Sequence, residues 1–225
     1  MSTDNSLYRL MTWMSPSFPV GAYSFSHGLE SAVESELVYD MDTARSWIAD
    51  LVTFGGGHSD LVFLAAAWHA AGNKDRLREV HDLVLAFQPT SEIRLETTAQ
   101  GAAFVKVMAA TWPCDAIDLL REVSNEIIAF PVAVGAIARG HDIEEKAVMK
   151  AYGHAFIANL VSAAVRLIPL GQTDGQKITA SLLDNVTAAV AKACDTPLDC
   201  VTSSCIMADI TSMQHEVQYT RLFRS

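Results

Sequence analysis

Basic charge is in short supply in this sequence: 16 Lys and Arg stand against 26 Asp and Glu, a formal net charge of −10 with a pI near 5.0. No basic run offsets that total, so long-range attraction to phosphate backbones or anionic lipid is excluded, and neither nucleic acid nor a membrane is an expected partner. Long apolar runs are absent too. The longest, Ala155 to Leu170, is broken by Asn159 and Arg166 and holds Pro169, which leaves it short of the about 20 predominantly apolar residues that cross a bilayer. Met1 to Ser6 has neither a basic n-region nor an apolar h-region, so no secretory signal is read and the cytoplasm is the expected compartment. Cysteines are few, and Cys114, Cys194, Cys200 and Cys205 show no C-x-x-C spacing. In a reducing compartment they read as small buried hydrophobes rather than disulfides or zinc ligands.

Catalytic motifs are equally scarce. Gly55-Gly-Gly57 lacks the G-x-x-x-x-G-K-[ST] pattern, no strand leads into it and no lysine follows to reach a phosphate, so it reads as a connection between helices. Neither a G-x-S-x-G nucleophile elbow nor an S-x-x-K appears, and the chain is read as a non-enzyme. The seven histidines show no i, i+4 pair and no H-E-x-x-H. A tightly bound metal or other cofactor is therefore not expected, although histidine and carboxylates suit a borderline cation such as nickel in transit.

What is present is apolar residue at helical spacing. Half of the 225 residues are hydrophobic and only 19% are charged, which excludes disorder and points to a deep core or to extra burial against partners, as in an oligomer. The spacing repeats at helical rather than alternating period, and no hairpin turn separates alternating runs. The predicted fold is all-α, a single multi-layer bundle of about ten helices in one domain over residues 1–225. The expected helices are Leu7 to Met14, Ala22 to Glu36, Thr43 to Phe54 capped by Asp42, and one from Ser59 or Asp60 to Ala71. Then come Asp75 to Phe87, Ser91 to Ala110, Cys114 to Ala129, Ile143 to Ile168 capped by Asp142, Gln176 to Cys194 and Leu198 to His215.

Two regions carry candidate binding residues. At about 100° per residue, a continuous helix from Ala22 places Ala22, Phe25, Leu29 and Val33 on one stripe, with Tyr23, His27, Glu30 and Glu34 on another face. That second face is either simply solvated or a partner-binding ridge. In the last helix Cys205, Asp209, Ser212 and Glu216 fall on one line, where carboxylates can pair with arginines such as Arg94, Arg139 or Arg166 or serve a cation. Beyond it the chain ends in His215, Glu216, Tyr219, Arg221, Leu222, Phe223 and Arg224, the anchor residue types of interfaces in a segment that normally adds little to a core.

Ser15-Pro-Ser-Phe-Pro-Val-Gly-Ala-Tyr-Ser-Phe-Ser-His-Gly-Leu-Glu30 and the ending Asp209 to Ser225 together resemble the two signature regions of the UreF family of urease accessory proteins. Arg166-Leu-Ile-Pro-Leu-Gly-Gln172 resembles the family's interior motif, and Phe130-Pro-Val-Ala-Val-Gly135 and Glu96-Thr-Thr-Ala-Gln-Gly101 echo it more weakly. The resemblance implies an all-α homodimer that joins UreD (also called UreH) and the GTPase UreG and supports GTP-dependent nickel insertion into the urease apoprotein. Nickel would be handled by the complex and not held by this chain. The alternative is a regulator of UreG in which Arg221 or Arg224 serves as an arginine finger.

Overall fold

A computed structural model describes residues 3–225, with side chains from Asn5 onward, and among them the regular elements are twelve α-helices and two 3-10 turns, with no strand. The all-α expectation holds. The helices are α1 (Thr3–Trp13), α2 (Leu29–Glu34), α3 (Met41–Phe54), α4 (Gly56–Ala70), α5 (Lys74–Phe87) and α6 (Ser91–Thr111). They continue with α7 (Asp115–Ser124), α8 (Phe130–Gly140), α9 (Glu145–Leu167), α10 (Gln172–Ser181), α11 (Leu183–Cys194) and α12 (Ile206–His215). None is long and apolar enough to cross a membrane.

The bundle is built around α4 and α8. Leu61, Val62, Phe63, Leu64 and Ala67 of α4, and Val132 through Ala138 of α8, are all buried. A helix apolar on every side belongs in an interior, and these two pack on each other with α3, α5, α9 and α11 around α4 and α6, α7 and α9 around α8. Their contact is close because Gly135 of α8 sits against the backbone carbonyl of Leu64, where a Cβ has no room. Gly101 of α6 meets the carbonyl of Ile128 in the same way. Helix α8 lay outside the expected set because Pro131 reads as a break when it is in fact the tolerated first-turn proline.

Several boundaries differ from expectation. Asp40, not Asp42, caps α3: it accepts a hydrogen bond from the Thr43 N–H at 2.8 Å and closes a capping box with the Thr43 hydroxyl. Helix α4 begins at Gly56, and α9 follows Glu144 because Asp142 takes the left-handed conformation, φ 55°. The expected helix from Gln176 is two helices meeting at Leu182. The last helix is only α12, preceded by a 3-10 turn Leu198–Cys200 and a non-helical segment.

The most consequential difference is at the second helix. A 3-10 turn Ala22–Ser24 is followed by a break, with His27 at φ 56° and Gly28 at φ 74°, before the short α2. Gly28 is required twice, by its positive φ and because a Cβ there would lie 2.7 Å from the Ser212 nitrogen of α12. The break lets α12 cross against the start of α2.

Gly135→Ala and Gly101→Ala are each expected to destabilise the protein by about 3 kcal/mol, the upper part of the range for overpacking a filled interior. Urea unfolding followed by far-UV circular dichroism measures this. A loss below about 0.5 kcal/mol, the scale of an ordinary surface change, would show that the central pair separates easily.

Candidate functional site

The segment after α12 turns back across α2 and α6 and docks on three buried glutamates. Glu30, in the first turn of α2, accepts the Leu222 N–H on Oε1 at 2.6 Å and the Phe223 N–H on Oε2 at 2.8 Å. Glu92 of α6 accepts from Arg221 Nη1 on Oε1 at 2.9 Å. Glu96, one turn on, accepts from the Ser225 hydroxyl on Oε2 at 2.9 Å and from Gln100 Nε2 on Oε1 at 3.0 Å. Backbone pairing completes the dock: the Ser26 N–H and hydroxyl donate to the Ser225 carbonyl, and the Arg224 N–H donates to the Ser24 carbonyl at 2.8 Å. Phe223 is buried beneath the Arg166 guanidinium, 4.3 Å from its ring centroid, and Arg224 lies over the Phe25 ring.

His215, the last residue of α12 and fully buried, sits at the centre of this arrangement. Its Nε2 is 3.1 Å from Glu30 Oε2 and its Nδ1 is 2.7 Å from Glu92 Oε2. Helix α12 is held in register by the hydroxyls of Ser212 and Thr90, 2.8 Å apart, and by Glu216, which accepts from the N–H and hydroxyl of Ser91 at the start of α6. Thr90 also caps α6 by accepting from the Ile93 N–H. The turn that starts α6 is therefore the seat on which α12 and the tail rest.

A pocket of about 230 Å³ opens beside the dock, lined by His27, Asp60, Glu96, Tyr152, Phe156 and Asp209 among others, and no lysine or arginine lines it. His27 Nδ1 lies 3.0 Å from Glu96 Oε2, and the Tyr152 hydroxyl donates to Asp60 Oδ2 at 2.7 Å. Burial pulls the His27 ring down, but the charge and hydrogen bond of Glu96, helped by Asp60 and Asp209, outweigh it and hold the ring above its usual value. Burial pushes the Asp60 carboxyl up to about 6, with the Tyr152 hydrogen bond and His27 pulling back and Glu96 adding to the rise. Asp209 is raised by burial as well. Acidic side chains without a lysine or arginine beside them make the pocket favour positive charge. Among the described residues no group of three or more His, Cys, Asp and Glu side chains is arranged to hold a metal.

The residues singled out by sequence fall into two sets. Tyr23, Glu216, Tyr219, Arg221, Leu222 and Arg224 are exposed, Tyr219 wholly so. His27 is half-buried, and Glu30, His215 and Phe223 are buried. The expected ridge of Tyr23, His27, Glu30 and Glu34 does not form, since the break at His27 and Gly28 turns Glu30 inward while Tyr23 and Glu34 stay outside. The tail likewise is not an addition to a finished core, because Phe223 belongs to the core. The arginines expected to pair with the last helix do other work: Arg94 donates to the Leu85 carbonyl, Arg139 stacks on Trp68 and Arg166 stacks on Phe223. Sequence reading missed Glu92 altogether and gave Glu96, Ser26 and Ser225 only as members of longer motifs. The spacing of Glu92, Glu96 and Gln100 at successive fours on one helix face was the available signal.

The UreF family model matches residues 38–183. The urease accessory protein UreF of Rhodopseudomonas palustris strain BisB5 is 46% identical over 222 residues, 98% of this chain and 91% of that protein. The protein of the same name from Bradyrhizobium sp. strain BTAi1 is 47% identical, covering 98% and 92%. That of Granulibacter bethesdensis is 45% identical, covering 99% and 95%.

Asp60 makes a pH test of the pocket. Its folded-state carboxyl binds a proton more tightly than the unfolded one, so its contribution to stability is full below about 4 and is lost as pH rises to about 6. Asp60→Asn is therefore expected to gain stability relative to the wild type between those limits, and to run parallel to it at higher pH. Melting temperatures across that window measure the difference. Parallel curves throughout would mean that Asp60 titrates as an ordinary surface carboxylate.

Proposed function

The chain belongs to the UreF family of urease accessory proteins, and from that premise we propose that it is a non-catalytic assembly factor for urease. In this reading one domain over residues 1–225, acting as a homodimer in the cytoplasm, joins UreD (UreH) to the GTPase UreG. Nickel is the cargo of the assembled complex, delivered to the urease apoprotein with GTP hydrolysis, and is not a resident cofactor of this chain.

The observation that carries the reading is the surface around the docked tail. Ile206, Met207, Ile210 and Met213 expose an apolar face along α12, and Val217, Tyr219 and Leu222 extend it through the tail. Arg221 and Arg224 flank it, each partly exposed while one is bonded to Glu92 and the other is stacked on Phe25. A contiguous apolar surface edged by aromatics and arginines is what partner interfaces use, and isolated soluble proteins rarely show one. In this division of labour Tyr23, Tyr219, Leu222, Arg221, Arg224 and Glu216 meet the partner, while His27, Glu30, His215 and Phe223 hold the tail in position. The exposure of both tail arginines also supports a second reading, in which one of them stimulates UreG as an arginine finger. Lysine at that position would then abolish the stimulation of GTP hydrolysis without preventing assembly.

Tyr23→Ala and Tyr219→Ala are expected to weaken assembly with UreD or UreG by about 30-fold, a hot-spot loss of about 2 kcal/mol, and to leave the melting temperature unchanged. Glu30→Ala strands two amides and a buried histidine and should cost about 3 kcal/mol of stability as well. Calorimetric titration of the purified proteins together with thermal melts separates these effects. Full affinity in both tyrosine variants would place the partner surface elsewhere.

A further inference from the structure

Two histidine rings lie against the three carboxylates that hold the tail. Glu30, Glu92 and Glu96 bring three carboxylates to the dock, and Arg221 is the fixed cation in contact with them. The other contacts of positive potential are the rings of His215 and His27. Both nitrogens of His215 face carboxylate oxygens, at 2.7 and 3.1 Å. An ionised carboxylate only accepts, so both contacts are hydrogen bonds only if both ring nitrogens carry hydrogen. A neutral imidazole has one N–H and would turn a lone pair toward Glu30 or Glu92. With both rings protonated, each of the three carboxylates meets a positive group.

The same carboxylates hold the tail. Glu30 holds the amides of Leu222 and Phe223, Glu92 holds Arg221, and Glu96 holds both Ser225 and His27. Loss of the two ring protons leaves an uncompensated buried charge, which is among the costliest arrangements in a protein. The cost is relieved by admitting water, and the tail, which covers the three carboxylates, is the element whose departure admits it, breaking its pairing with Ser24 and Ser26 in the same step. We propose that the C-terminal tail is a pH-sensitive latch, docked while His215 and His27 are protonated and released when they lose their protons.

The surrounding groups agree in sign. Asp60 from α4 and Asp209 from α12 add negative charge on the pocket side of His27 and favour its protonated form. Glu216 lies outside the cluster, engaged with Ser91. Arg166 from α9 and Arg224 of the tail stack on Phe223 and Phe25, contacts that do not depend on either histidine. Release would dismantle the surface made by Tyr219, Arg221 and Leu222, and so would regulate the assembly face proposed above. The latch itself is observable in the isolated chain, whatever that face binds.

The test uses the full-length wild-type chain labelled with nitrogen-15, taken from about pH 6 to about pH 9, a range that spans histidine titration. Amide-exchange protection of Ser26, Leu222 and Phe223, corrected for the intrinsic pH dependence of exchange, is followed alongside the ring nitrogen shifts of His215. The expected result is two protonated ring nitrogens while the tail is protected, and an about tenfold or greater loss of tail protection on deprotonation. Val134 in α8 should keep its protection throughout. Glu30→Gln leaves one oxygen for two tail amides, so it should lower tail protection even at about pH 6. Tail protection that stays constant while the His215 ring titrates, or a neutral ring in the docked state, would overturn the latch. If Glu30→Gln does not fold, the wild-type profile alone decides. Loss of partner binding in Tyr219→Ala with a flat wild-type profile would refute the latch and leave the assembly reading intact.

Discussion

The carboxylate of Glu30 holds the C-terminal tail against the body of the helical bundle. Both of its oxygens are committed, to two consecutive tail amides and to the His215 ring, so one buried side chain ties α2, α12 and the tail. A buried charge of this kind persists only when its partners stay in place. That requirement explains features that look unrelated. Gly28 breaks the helix so that α12 can approach, Thr90 and Ser212 fix the height of α12, and Glu92 supplies the second carboxylate that His215 needs.

The tail and the pocket share this chemistry through Glu96. One oxygen of Glu96 receives both the Ser225 hydroxyl and the His27 ring, and His27 faces the pocket with Asp60 and Asp209 behind it. Protonation in the pocket and docking of the tail are therefore linked through contacts of ordinary hydrogen-bond length. The exposed surface made by α12 and the tail is held in shape by charges that it does not itself display.

Helix α5 was legible through its polar face, with Leu77, Val80 and Val84 inward and its charged residues outward, while α6 was legible from the capping residue Thr90 before it and Trp112-Pro113 after it. Helix α8 was not legible, since Pro131 in its first turn reads as a break rather than as a start. The tail was legible as unusual through its arginines and aromatics, but its direction was not. Nothing local to Phe223 says that it enters a core assembled from residues far earlier in the chain. Glu30 was found for the wrong reason: helical spacing placed it on an outer ridge with Tyr23, and only the left-handed turn at His27 and Gly28 sends the two in opposite directions. Long-range pairings such as Glu92 with His215 and Arg221 leave no mark on one sequence beyond an unexplained row of acids on a helix face.

The central claim is that Glu30 stabilises the molecule through the tail. A double-mutant cycle between Glu30→Gln and removal of residues 221–225, read by urea unfolding, measures that directly. The account requires strong coupling, with the Glu30 substitution costing about 2 kcal/mol or more in the full chain and far less once the tail is gone. Additive effects, with Glu30→Gln equally costly in both backgrounds, would contradict it and show that the docked tail adds nothing to the stability of the site.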